Sequence, residues 1–312
     1  MDLSVVVPLY NERDNLVPLH EELTRSLRKL GRSFEVIYVD DGSVDGGIEE
    51  LRKIRASDPS VHVVRLARNS GQTAAMSCGF NRARGDVIVA MDADMQNNPD
   101  DIPLLLAKIG EGYDIVSGWR TERWQDEKLT RRMPSMAANW LISTITGIEL
   151  HDYGCTFKAY RREVAQGLKL YGEMHRFVPA IAAEQGARVT EVPISFRPRH
   201  AGTSKYGLWR IVRTLLDLIT VKFLSVYSTA PIQVFGLIGL ILSGIGGLWT
   251  LMLVMEKLLL GAELGKRPAL LLSVLLIVVG VQFISFGLLG EMLARTYHES
   301  QGKPIYLVKE EF

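Results

Sequence analysis

Excess charge of one sign, cysteine and glycine-rich phosphate loops are all scarce in this sequence, and each shortage excludes something. The 312 residues carry 36 Lys and Arg against 35 Asp and Glu, a formal net charge of +1. That balance gives no general case for nucleic acid as a partner and none for an acidic tail. There are 2 cysteines, Cys78 and Cys155, without metal-ligand spacing. A disulfide framework is excluded, a reducing compartment fits, and both thiols read as small buried hydrophobes. No G-x-G-x-x-G follows a strand-like run, and "GAELGK" has the wrong spacing for a phosphate loop, which disfavours a dehydrogenase or an ATPase. The start, "MDLSVVVPLY", places an acidic residue and a proline where a signal peptide needs a basic flank and a long apolar stretch. The polar part of the chain is therefore expected in the cytosol.

Long uncharged runs are present. Residues 223–255 and 268–290 contain no charged side chain. A stretch of about 20 apolar residues crosses a hydrocarbon core of roughly 30 Å, so two transmembrane helices are expected, at 229–256 and 268–293. An amphipathic interface helix is expected at 206–225 before them and a cytosolic tail at 294–312 after them. Lys205, Arg210, Arg213 and Lys222 precede the first run and Arg295, Lys303 and Lys309 follow the second, but the connecting loop also holds Lys257, Lys266 and Arg267. Charge counting alone leaves the orientation open.

The first two hundred residues alternate. "LSVVVPLY", "FEVIYVDDGS", "VHVVRLA" and "DVIVAMDAD" read as short continuous apolar strands, with amphipathic helices between them. This pattern predicts an α/β domain with a mostly parallel sheet covered on both faces. Ligands in such sheets bind beyond the carboxyl ends of the strands, where this chain carries "PLYNE", "DDGS" and "DADMQ". If the last strand stays extended, Asp92, Asp94 and Gln96 share a face and form an all-oxygen site suited to Mg²⁺ or Mn²⁺ with a diphosphate as co-ligand. Asp100 and Asp101 read instead as the start of the next helix, Asp100 as its cap.

Together, "VVVPLYNE", "VDDGSVDG", "LARNSGQTAAMSCGF", "GDVIVAMDADMQNNP" and "DYGCTFKAYRR" resemble the family-two glycosyltransferases of GT-A fold. Among them the chain is similar to the polyprenyl-phosphate hexosyltransferases, which include dolichol-phosphate mannose synthase and the bacterial enzymes that load glucose onto undecaprenyl phosphate. The resemblance covers residues 3–205 as a catalytic domain and extends to the two-span tail. It implies that Pro8, Tyr10 and Glu12, with Asp40 or Asp41, hold the base and ribose of a nucleotide sugar. It implies that Asp94 and Gln96 carry the metal and that Asp92 lies beside the sugar nucleotide.

A sugar diphosphate meeting a lipid phosphate concentrates negative charge, and arginine matches phosphate oxygens with parallel donors. The resemblance places Arg120, Arg131, Arg132 and Ser135 at the lipid phosphate, and Arg199 over the diphosphate with Lys205 nearby. A lipid phosphate is already anionic and needs no general base, so inverting, in-line displacement is expected. Asp152 is assigned positioning, with general base as the lesser role. Glucose from UDP-glucose is the expected donor group, GDP-mannose with a dolichol-type lipid the alternative, and a homo-oligomer, as a tetramer, the expected assembly at the inner membrane. A processive polysaccharide synthase lacks support because "RTERW" has no glutamine for the Q-x-x-R-W signature. A sensor with a dead site conflicts with the complete Asp92, Asp94, Gln96 and Arg199 set. A glycosidase conflicts with two carboxylates two positions apart on one strand.

Overall fold

The computed structural model describes residues 1–121, 147–168, 170, 174–197 and 305–312, with a few single residues elsewhere. The chain divides into two compact units, Met1–Val221 with Pro304–Phe312, and Lys222–Lys303. Apart from single residues, the expected interface helix at 206–225 and the spans at 229–256 and 268–293 lie outside the described residues. Among the described residues no helix is long and apolar enough to cross a membrane.

Among the described residues the first unit has eight strands, β1 Leu3–Leu9, β2 Phe34–Asp40, β3 Val61–Leu66, β4 Val87–Ala90, β5 Ile115–Arg120, β6 Lys158–Arg161, β7 Val189–Ile194 and β8 Val308–Glu311. Their order in the sheet is β7-β5-β6-β4-β1-β2-β3-β8. β1 pairs in parallel with both β2 and β4, and β7 with β5, while β6 and β8 run antiparallel to their neighbours. The expected mostly parallel α/β sheet is thus present, with two reversed strands.

Every residue of β1 is buried because helices cover both faces. On one side, α1 (Arg13–Lys29) lays Leu16, Leu19, Leu23 and Leu27 against Val5 and Val7, alongside α2 (Gly47–Ser57) and α4 (Ile102–Gly110). The spacing of three and four residues puts those leucines on one helical stripe. On the other side α3 (Gln72–Arg82) lies against β1 and β2. Gly79 makes that approach possible, since a Cβ there would sit 2.3 Å from Val6 Cγ1.

Two local expectations change. β4 ends at Ala90, and the chain turns at Met95, whose φ of 60° is left-handed. An extended run through Gln96 is therefore excluded, and a turn gathers the acidic loop in place of strand alternation. Asp100 is no helix cap either. Asn98 Oδ1 accepts the Asp100 N–H (3.2 Å), while the Asp100 carboxylate accepts from Ser26 Oγ at 2.5 Å and Lys29 Nζ at 3.2 Å on α1. Asp101 accepts the Ser195 N–H at 2.7 Å, tying the start of α4 to the end of β7.

Candidate active site

The chain leaves β1 for β2 and β3 on one side and returns as β4 on the other, so the carboxyl ends of β1 and β4 flank the point where strand order reverses. Such a point opens a crevice in doubly wound sheets. The loops around it are laced together. Asn11, at a left-handed φ of 56°, donates its N–H to Ser43 Oγ (2.9 Å) and accepts the Val44 N–H on its side-chain oxygen (3.0 Å). The Arg13 N–H donates to Asp45 Oδ2 at 2.9 Å. Pro8 is buried within β1, Tyr10 and Glu12 are half-buried at its end, and Glu12 accepts from Asn15 Nδ2 at 2.6 Å.

The two aspartates after β2 have separate tasks. Asp41 accepts the backbone N–H groups of Ser70 (2.7 Å) and Gly71 (2.9 Å), where α3 begins. Burial nevertheless pushes its carboxyl upward, against those two hydrogen bonds. Asp40 is wholly buried; Oδ1 accepts the Ser43 N–H at 2.9 Å and Oδ2 lies 3.4 Å from Arg65 Nε. Each carboxylate therefore braces a different loop beyond the strand ends, Asp40 the turn to Ser43 and Asp41 the start of α3.

At the end of β4, Asp94 is buried and accepts the Gln96 N–H at 3.2 Å. Asp92 accepts from Gln72 Nε2 at 2.7 Å, and the same amide reaches Thr156 Oγ1 at 3.3 Å. Burial and the neighbouring Asp94 charge both raise the Asp92 carboxyl, while Arg120 opposes them. The segment after β7 lies along this loop: the Arg197 N–H donates to the Gln96 carbonyl at 3.0 Å, and Phe196 bridges Asn97.

Arg120, the last residue of β5, grips Asp152 with Nε at 2.6 Å and Nη2 at 2.9 Å, a two-pronged ion pair, and its guanidinium lies 5.7 Å from the Phe196 ring centroid. Burial works against that cation and Asp152 more than restores it, so its pKa moves upward. Behind it, fully buried Lys158 donates to the carbonyls of Tyr153 and Cys155. Burial drives the Lys158 ammonium downward, with Asp152 and Asp92 acting in its favour.

Residues 4–168 match the family described as Glycosyl transferase family 2. The chain belongs to that family. This family-2 glycosyltransferase is 41% identical over 316 residues to the dodecaprenyl-phosphate galacturonate synthase of Rhizobium johnstonii (strain DSM 114642 / LMG 32736 / 3841), covering 100% of this chain and 93% of the relative. It is 36% identical over 311 residues to the undecaprenyl-phosphate 4-deoxy-4-formamido-L-arabinose transferase of Yersinia pestis (strain Pestoides F), covering 99% of this chain and 93% of the relative. A crystal structure of glucosyl-3-phosphoglycerate synthase from Mycobacterium tuberculosis, in complex with Mn²⁺, uridine diphosphate and glucosyl-3-phosphoglycerate, superposes with a TM-score of 0.53 at 18% identity, over 72% of this chain and 79% of that one. At that identity the likeness is one of fold.

In this glycosyltransferase the donor set at the acidic loop fits a divalent ion. Among the described residues no three His, Cys, Asp or Glu side chains are grouped to hold a metal by themselves. Magnesium commonly takes one or two protein carboxylates and completes its shell with water and phosphate oxygens. Burial and the nearby Asp94 charge, which together raise the Asp92 carboxyl, are strain of the kind a divalent ion relieves. Arg131, Arg132, Ser135, Arg199 and Lys205 lie outside the described residues. Sequence reasoning missed Gln72, Thr156 and Lys158 as individuals, although all three stand inside quoted motifs. A lysine within the apolar run "CTFKAY" was the available signal for Lys158.

Proposed function

We propose that this glycosyltransferase transfers a sugar from a nucleoside diphosphate donor to a polyprenyl phosphate at the cytosolic face of the inner membrane. The observation that carries the reading is the match over essentially the whole chain to two proteins named for dodecaprenyl and undecaprenyl phosphate. The site agrees with it. Carboxylates for a metal and its diphosphate stand at the end of β4, and Arg120, at the end of β5 two strands away, favours the charged form of Asp92.

In this reading Pro8, Tyr10 and Glu12 line the nucleotide with Asp40 and Asp41 behind them. Asp94 and Gln96 would hold Mg²⁺ or Mn²⁺, which when bound offsets charge on the departing diphosphate. Asp92, fixed by Gln72, faces the sugar nucleotide. Arg199, which follows Arg197 by two residues in the sequence, would lie over the diphosphate with Lys205 nearby. Arg120, Arg131, Arg132 and Ser135 align the lipid phosphate, one of whose oxygens attacks the anomeric carbon as the bond to the diphosphate breaks, with inversion. The attacking phosphate is already anionic, so no side chain has to remove a proton. Asp152 accordingly orients Arg120, both of its oxygens accepting from that guanidinium.

Two spans, an even number, agree with a chain that leaves the catalytic unit at Val221 and rejoins it at Pro304. For the sugar, UDP-glucose remains the expectation from sequence, while the relatives carry galacturonate and 4-deoxy-4-formamido-L-arabinose in their names.

The test incubates the purified full chain and Mg²⁺ with undecaprenyl phosphate and labelled UDP-glucose, a UDP-uronic acid, a UDP-4-formamidopentose or GDP-mannose. Label from one donor should become extractable into organic solvent, and Asp94→Ala should abolish the transfer. Label in long polymer, or undiminished transfer in EDTA, would overturn the lipid-carrier or the metal-assisted reading respectively.

A further inference from the structure

The last eight residues of the chain do more than trail from a membrane segment. β8 adds to the free edge of β3 with Glu310 directly opposite Arg65. Register decides this contact, since a slip of one residue would present Lys309 or Glu311 instead. The three guanidinium nitrogens of Arg65 each meet a different partner. Nη1 reaches Glu310 Oε1 at 3.3 Å, Nη2 donates to the Ser43 carbonyl at 3.1 Å, and Nε lies 3.4 Å from Asp40 Oδ2. Glu310 is held from its other oxygen by Arg52 Nη2 of α2, at 2.5 Å.

Each of those contacts leads into the nucleotide side of the crevice. Ser43 takes the Asn11 N–H on its hydroxyl and gives its own N–H to Asp40. Asp40 Oδ2 is sealed from solvent and has no hydrogen bond among the described residues, so Arg65 is the cation that offsets its charge. A carboxylate on the opposite side of Arg65 fixes the guanidinium's fork geometry. Without it the arginine is free to swing toward solvent, and the 41–45 loop loses the clamp on its carbonyl side.

We infer that Glu310 is a positioning residue for the donor site: its carboxylate, brought opposite Arg65 by β8, holds that guanidinium against the nucleotide-binding loop. This rests on the nucleotide-sugar reading of the site. It makes donor affinity dependent on the carboxylate that β8 presents to Arg65. Glu311 supplies the control, because it also anchors β8, by pairing with Arg82 of α3 at 3.0 Å, without touching Arg65.

The experiment compares full-length wild type, Glu310→Gln, Arg65→Met and Glu311→Gln in detergent. The donor is the nucleotide sugar that wild type turns over, the acceptor is undecaprenyl phosphate, and folding is checked by thermal melting. Glu310→Gln should raise KM for the nucleotide sugar by about threefold, in keeping with a partly exposed pair, with kcat and the undecaprenyl phosphate KM unchanged. Arg65→Met should raise it further, adding Glu310→Gln to Arg65→Met should change nothing more, and Glu311→Gln should match wild type. An unchanged donor KM in Glu310→Gln, or an equal rise in both KM values or in Glu311→Gln, overturns the inference. Failure of wild type to glycosylate the lipid would instead defeat the reading beneath it.

Discussion

Single side chains set the electrostatics of this site. Arg120 is proposed to meet the acceptor phosphate, and its two-pronged grip on Asp152 fixes the guanidinium at the end of β5. Lysine keeps the charge but lacks the fork, so Arg120→Lys should lower kcat by about tenfold while Asp152 and the fold remain. Steady-state rates beside a melting curve test this, and an unchanged kcat would remove Arg120 from the site. His175 offers a pH prediction. It is buried against Thr73 of α3, with its Nδ1 2.9 Å from Thr73 Oγ1, and burial pushes its pKa down to about 3. The folded state refuses a proton that the unfolded chain accepts near pH 6.5. Its contribution is therefore complete above that pH and is lost as pH falls toward 3, the loss reaching about 2 kcal/mol by pH 5. Denaturant midpoints from pH 8 to 5 should fall in wild type and fall less in His175→Gln.

Elements place those residues by close packing. α3 carries Gln72 to Asp92 and Thr73 to His175, and it reaches the sheet only because position 79 has no side chain. In Gly79→Ala the new methyl would lie 2.3 Å from a buried, β-branched Val6. The substitution should cost about 1–3 kcal/mol by overpacking. It should also weaken transfer by moving Gln72, which stability and activity measurements on one preparation would show together. A variant as stable as wild type would mean that the helix can shift without strain. The loops at the strand ends obey a related rule, since Asn11 and Met95 adopt left-handed φ to turn the chain sharply where side chains must converge.

At the scale of the whole molecule the constraint is topological. Two spans, as proposed above, would put the loop between the uncharged runs on the far face of the membrane, since β8 returns the chain to the sheet that holds β1. A cysteine at Gly261 should react with an impermeant maleimide added outside intact cells, while native Cys78 and Cys155, both buried, give little background. Labelling only after lysis would contradict two full crossings.

The sequence by itself determined the four central strands, their helices and the polar, acidic loops at the strand ends, because hydrophobic period and strand-end polarity are local properties. It also named Arg120 and Asp152, without pairing them. Only the tertiary structure decided that Arg120 holds Asp152, that Gln72 holds Asp92, that Asp40 and Asp41 brace different loops, and that the last residues complete the sheet at Arg65. Those contacts join residues from 20 to 245 positions apart, apart from the Asp40–Ser43 turn. No local pattern encodes such a pairing; it arises when packing fixes register and removes the water that would otherwise serve each charge.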